Sequence, residues 1–145
     1  MITNARIRDQ LRRNAVALIS LVVAVTSLGY NTWRNEASES NRNQRLLSIE
    51  VLRNLGQLQQ VVYHRHWGMD AEDEGNPLTG WAIVLTIDDL ASILEAPVPE
   101  SAAALRDAWQ KSSSQLGESD AAEKQIITAI DAVRSDVHTL LSELD

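Results

Sequence analysis

The sequence of 145 residues contains no cysteine, and this absence excludes several classes of protein. Without thiols the chain cannot carry a disulfide framework, a thiolate zinc site, an iron–sulfur cluster or a cysteine nucleophile. It also lacks a Gly-x-Ser-x-Gly nucleophile motif and a glycine-rich loop of the kind that binds phosphate. We therefore expect a protein that is not an enzyme and that has no cofactor.

Positive charge is scarce, because 13 Lys and Arg residues stand against 20 Asp and Glu residues, a net charge of −7. This balance argues against nucleic acid as a partner. The charge is also uneven. Residues 1–14 carry four arginines and one aspartate, a net charge of +3, whereas residues 15–145 carry nine basic and nineteen acidic side chains, a net charge of −10. An uncharged segment separates the two regions, which is typical of a chain anchored in a membrane bilayer.

That segment, residues 14–33, is predicted to cross the membrane as one helix. Its apolar part from Ala15 to Tyr30 has neither charge nor proline, and twenty residues give about 30 Å of helix, the thickness of a hydrocarbon core. A cleaved signal peptide is the competing interpretation. Ser20, Ala24 and Ser27 are small residues through which this helix could pack closely against another membrane helix.

The arginines that precede the segment predict its orientation. We expect residues 1–13 to form a short basic tail in the cytoplasm, and residues 34–145 to lie outside it. In a bacterial cell this arrangement corresponds to a single-pass protein of the inner membrane with a periplasmic C-terminal domain.

Residues 34–145 are predicted to be helical throughout, with helices over about 36–67, 79–96, 100–116 and 119–144. We expect the first to continue the membrane helix, with local loosening at the polar run of residues 36–43. Short connections favour antiparallel neighbours. The predicted fold class is therefore all-α, with one N-terminal transmembrane helix that continues into an extracytoplasmic up-and-down four-helix bundle. In layout alone, this arrangement resembles the four-helix ligand-binding ectodomains of bacterial chemoreceptors.

Each predicted helix has a stripe of apolar residues at spacings of three and four, which predicts its buried face. The stripe of the last helix has the regular spacing of a coiled coil. The predicted core positions are Leu47, Val51, Leu55, Leu58 and Val62, then Ile83, Ile87, Leu90 and Leu94, then Leu105, Trp109, Ser112 and Leu116, then Ile126, Ile130, Val133, Val137, Leu140 and Leu144.

Histidines and acids cluster where the first of these helices ends. His64, His66, Asp70 and Glu72 are residue types that bind metals, but two histidines at this spacing point to nearly opposite sides of a helix. The acidic loop also imitates part of a calcium loop, with Trp81 where a bidentate glutamate is needed. We therefore predict no metal site and treat these four residues as weak candidates.

A second apolar face predicts a contact with another protein. Leu46, Ile49 and Gly56 lie about 180–260° around the helix from Leu47, away from the core stripe. Glycine inside a helix costs about 1 kcal/mol, so the close approach of another helix is an attractive reason for Gly56. Trp81 and Leu85 likewise lie opposite Ile83 on the next helix. These five residues are the predicted partner contacts.

The leading functional hypothesis is a non-enzymatic accessory or scaffold subunit of a larger membrane complex, which contacts other membrane subunits or associates with itself. The alternative is a binding module in which the external bundle senses a small molecule or cation and signals through a partner. The acidic loop with Trp67 and Trp81 motivates the alternative.

Overall fold

The structure is a computed structural model that describes residues 3–68 and 75–144. Every regular element within these two ranges is helical, which confirms the prediction of an all-α chain. The elements are α1 (Thr3–Trp67), α2 (Pro77–Ala91), α3 (Val98–Ser112), the 3₁₀ helix η1 (Ser113–Gln115) and α4 (Asp120–Glu143). The chain divides into two compact units, an N-terminal unit at Met1–Ser40 and a C-terminal unit at Asn41–Asp145.

The first helix runs without interruption through the predicted membrane segment and the polar run that follows it. The expected loosening at residues 36–43 is therefore absent, since the main-chain hydrogen bonds of a helix do not require favourable side chains at every position. The helix ends as predicted at Gly68, which has a positive φ of 70°. Glycine adopts this left-handed conformation without the steric cost that a side chain imposes.

Among the residues that the structure describes, one segment, near the N-terminus, is long and apolar enough to cross a membrane. Its mean hydropathy is 1.7, and none of it is buried within the chain. The large side chains from Val16 to Trp33 are exposed, and the Thr26 hydroxyl donates back to the Val22 carbonyl at 2.7 Å. A polar side chain satisfied in this way costs little in an apolar environment, so the segment supports association with a membrane.

One hydrophobic core in the C-terminal unit contains residues of all four α-helices. Burial of one large aliphatic side chain contributes about 1.5–3 kcal/mol, whereas an exposed ion pair contributes about 0–1 kcal/mol. The core therefore dominates the stability of this unit. The stripes predicted for α1, α3 and α4 are confirmed, since most of their members are buried: Val51, Leu55, Leu58, Val62, Leu105, Trp109, Ser112, Leu116, Ile126, Ile130, Val133, Val137 and Leu140.

The buried face predicted for α2 is wrong in part. Ile87 and Leu94 are buried as predicted, but Ile83 and Leu90 are only half-buried. The other buried members of this face are Gly80, Val84 and Ala91. The reason is the fully buried ring of Trp109, against which the backbone of α2 packs at Gly80. A Cβ atom at Gly80 would lie 2.0 Å from Cζ2 of that ring, so only glycine fits. The spacing of large apolar residues does not reveal a buried face that contains small residues such as Gly80 and Ala91.

The bounds of α2 also differ from the predicted 79–96. It begins at Pro77, because the Asn76 side chain accepts a hydrogen bond from the Leu78 amide at 2.9 Å and proline suits the first turn. It ends at Ala91, because Gln44 of α1 binds the segment that follows. The Gln44 amide donates to the Ile93 carbonyl at 3.1 Å and accepts from the Glu95 amide at 3.3 Å.

The last two α-helices begin and end close to their predicted positions. The third begins at Val98 rather than residue 100 and passes into η1 at Ser113. Ser119 caps α4 as predicted, since its hydroxyl accepts from the Ala122 amide at 3.3 Å. Longer side chains connect the helices. Arg106 donates to Asp88 at 2.5 Å, and Arg134 of α4 donates to Gln59 of α1 at 2.7 Å.

Candidate interaction surfaces

The face of α1 that points away from the core carries a regularly spaced row of side chains, most of them exposed. Leu46 and Ile49 are 57% and 58% exposed, and Trp67 is 67% exposed. The row follows alternating spacings of three and four, which are the spacings of the contact positions in a coiled coil. We call it the outer seam, and its members are Leu46, Ile49, Arg53, Gly56, Gln60, Tyr63 and Trp67.

The outer seam contains three of the five predicted partner contacts, Leu46, Ile49 and Gly56. The sequence interpretation did not assign Tyr63 to this face, and it grouped Trp67 with the acidic loop as part of a possible ligand site. Counting the same intervals onward from Leu46 would have included both. About 30 Å of helix separates Leu46 from Trp67 at 1.5 Å per residue, which is long enough for an extended helix-to-helix contact.

Gly56 lies in open space within the chain. A Cβ atom built there would meet nothing within 4 Å, so no helix of the C-terminal unit approaches it closely. The close approach that the sequence suggested for Gly56 occurs instead at Gly80. At Gly56, no contact inside the chain offsets the loss of helix stability that glycine causes.

The two predicted contacts on α2 lie in different surroundings. Trp81 is half-buried and packs against the hydrophobic core, so it supports the fold of this chain. Leu85 is 48% exposed and remains accessible to a partner. Neither residue belongs to the outer seam, which lies on α1.

His66 forms bonds that hold the end of α1 in place. Its Nδ1 lies 2.8 Å from the Leu116 carbonyl oxygen, and its Nε2 lies 3.2 Å from the exposed Asp120 carboxylate. Because a carbonyl oxygen only accepts, Nδ1 carries the proton in this contact. The ring edge also contacts Trp67, with 5.1 Å between centroids. His66 therefore connects α1 to the segment that leads into α4.

The weak metal candidates are not brought together among the residues that the structure describes. No group of three or more His, Asp or Glu side chains in residues 3–68 and 75–144 has the proximity needed to hold a metal ion. Asp70 and Glu72 lie outside the described residues. His64 and His66 belong to separate surroundings, as their spacing on a helix predicts.

His64 borders a groove between α1 and α2. The groove has a volume of about 380 Å³, which lies within the range for small-molecule sites. Its lining includes amide, imidazole, hydroxyl and aliphatic side chains. The lining residues are Gln57, Gln60, Val61, His64, Thr79 and Ile83.

The small residues of the apolar segment lie on an accessible part of α1. Ser20, Ala24 and Ser27 are all exposed in the N-terminal unit. Their spacing leaves a shallow strip between larger side chains, which suits the close packing of a second membrane helix.

Comparison with protein-family models, with curated proteins and with solved structures gives no match to this chain. Its function must therefore be inferred from its own residues.

Proposed function

We propose that this protein is a non-enzymatic, single-pass membrane protein that acts as an accessory or scaffold subunit of a larger membrane complex. Residues 14–33 cross the inner membrane, residues 1–13 lie in the cytoplasm, and residues 34–145 form an up-and-down four-helix bundle in the periplasm. The observation that carries this proposal is the outer seam, because exposed apolar side chains at both of its ends, at the spacing of coiled-coil contacts, suit a second protein.

Two further observations support the proposal. The apolar segment of α1 is exposed along its length. Insertion into a lipid bilayer, or contact with another protein there, would remove this apolar surface from water. The four arginines before it favour a cytoplasmic N-terminus. The bundle arrangement is supported by the single core shared among the four helices.

The proposal is tested by purifying the full chain from its native membranes in mild detergent. We expect a stoichiometric partner, and we expect the double variant Leu46→Ala/Ile49→Ala to lose it while its melting temperature stays close to that of the parent. Ile93→Ala is the matched control, since Ile93 is a comparably exposed aliphatic residue, at 62%, outside the seam. A chain that purifies alone from native membranes would contradict the assignment.

The second candidate function is a module that binds a small polar ligand in the groove between α1 and α2. The groove volume and the polar side chains of Gln57, Gln60 and Thr79 in its lining favour this alternative. Bound ligand stabilises the folded state, so screening small carboxylates, amides and divalent cations for a raised melting temperature tests it. Thr79→Val should abolish any such shift that arises in the groove, whereas Thr128→Val on α4 should preserve it.

A further inference from the structure

The composition of the outer seam identifies the kind of helix that fits it. We propose that its occupant is an amphipathic helix of a different protein, with an acidic residue opposite Arg53 and a bulky apolar residue opposite Gly56. This inference rests on the proposed function, because it names the partner that the accessory-subunit assignment requires.

The charge on the seam favours an acidic occupant. Arg53 is its only charged member, and its side chain is 68% exposed. Glu50 lies beside it on the same helix at 3.5 Å, with its side chain 46% exposed, so this ion pair lies largely in water and contributes little. A helix docked on the seam would remove Arg53 from water, and a carboxylate on that helix would compensate for the lost hydration together with the distant Glu50 contact.

The shape of the seam argues against a second copy of this chain. Copies anchored in the same membrane through the same segment run parallel, and an in-register pair places Arg53 against Arg53. Tyr63 and Trp67 hold two such helices at an ordinary separation of about 8–10 Å. The facing glycines at position 56 then leave a void, because a Cβ atom built there meets no side chain of the chain within 4 Å.

A non-identical helix resolves both conflicts. A bulky side chain from the partner fills the space at Gly56 as a knob fills a hole, and its carboxylate pairs with Arg53. Leu46 and Ile49 form the apolar contact at one end of the seam. Tyr63 is already oriented at the other end, because Gln59 donates to its hydroxyl at 2.8 Å.

The proposal is tested with synthetic helical peptides and the full chain in phosphatidylcholine nanodiscs. The acidic peptide has leucine at its contact positions, including the one opposite Gly56, and glutamate opposite Arg53. The basic peptide differs only by lysine at that glutamate. We expect the acidic peptide to bind about tenfold more tightly, and we expect Arg53→Glu to reverse the preference. Lys111→Glu, an exposed charge reversal on α3, should leave it unchanged.

A second measurement distinguishes a partner protein from self-association. Because the chain has no cysteine, Ile49→Cys introduces a unique thiol in the seam. We expect no disulfide-linked dimer after oxidation in membranes, as for the off-seam control Ala104→Cys. A dimer specific to Ile49→Cys, equal binding of the two peptides, or no binding of either would overturn the proposal. Failure to recover a native partner would instead contradict the proposed function, and the peptide preference would remain interpretable.

Discussion

At the scale of the residue, the two helical glycines of the C-terminal unit have opposite roles. Gly80 lies against the ring of Trp109, where a Cβ atom would overlap Cζ2 and Cη2 at 2.0 and 2.3 Å. Gly56 faces open space on the outer seam. Glycine is therefore required for packing at position 80 of α2, whereas at position 56 of α1 it leaves an accessible gap between larger side chains.

This difference predicts opposite effects of one substitution. Gly80→Ala should destabilise the fold by about 1–3 kcal/mol, because the buried Trp109 ring cannot move without disturbing the core. Gly56→Ala should stabilise it by about 1 kcal/mol, because alanine favours a helix and meets no neighbour. Thermal unfolding of the full chain in detergent, followed by circular dichroism, measures both. A gain in melting temperature for Gly80→Ala would contradict the close packing.

His66 shows how a residue that resembles a metal ligand acts in packing instead. Its contacts with the Leu116 carbonyl and Asp120 use both ring nitrogens. Both of these partners are hydrogen-bond acceptors. A metal ion bound at His66 would compete with at least one of these contacts.

At the scale of the element, the helix ends are determined by side-chain oxygens that satisfy free amides. Asn76 and Ser119 cap α2 and α4 through the Leu78 and Ala122 amides. Both caps precede a helix whose first amides have no partner within the helix. The end of α2 adds a contact from another helix to its local cap at Ser92, since Gln44 of α1 binds the segment that follows.

The cap of α4 can be tested by a single substitution. Ser119→Ala should destabilise the chain by about 1 kcal/mol, because the Ala122 amide loses its side-chain partner. Ser135→Ala is the control, since Ser135 lies exposed inside the same helix and alanine is the better helix former there. Equal melting temperatures for Ser119→Ala and the parent protein would show that the cap does not contribute to the stability of the folded chain.

At the scale of the whole molecule, the arrangement of charge predicts a membrane topology. The basic N-terminal region and the acidic remainder flank one apolar segment. The positive-inside tendency favours the orientation with residues 1–13 in the cytoplasm. Each part of the chain should therefore be accessible from only one side of the membrane.

Single cysteines can test this orientation, because the parent chain has none. Ser142→Cys should react with a membrane-impermeant maleimide in intact spheroplasts, whereas Thr3→Cys should react only after lysis. Loss of the protein from the membrane fraction on changing Val23 to arginine would support the span, since a charge in the hydrocarbon core costs about 2.5–3.5 kcal/mol. Labelling of Thr3→Cys in intact spheroplasts would contradict the orientation.

The sequence by itself determined the all-α class, the apolar segment, the core stripes of three helices and the cap at Ser119. These features depend on local periodicity and on side chains that bond within a few residues of themselves. The leucine and isoleucine of the outer seam were also visible, because they lie off the core stripe of their helix.

Only the tertiary structure decided the buried face of α2, its end at Ala91 and the role of His66. Each depends on a residue distant in the chain: Trp109 selects Gly80, Gln44 binds the segment after α2, and Leu116 accepts from His66. The spacing of residues along one helix carries no information about such pairs, because these contacts form only when separate helices pack together. Packing against a neighbour therefore overrode local preference at these positions.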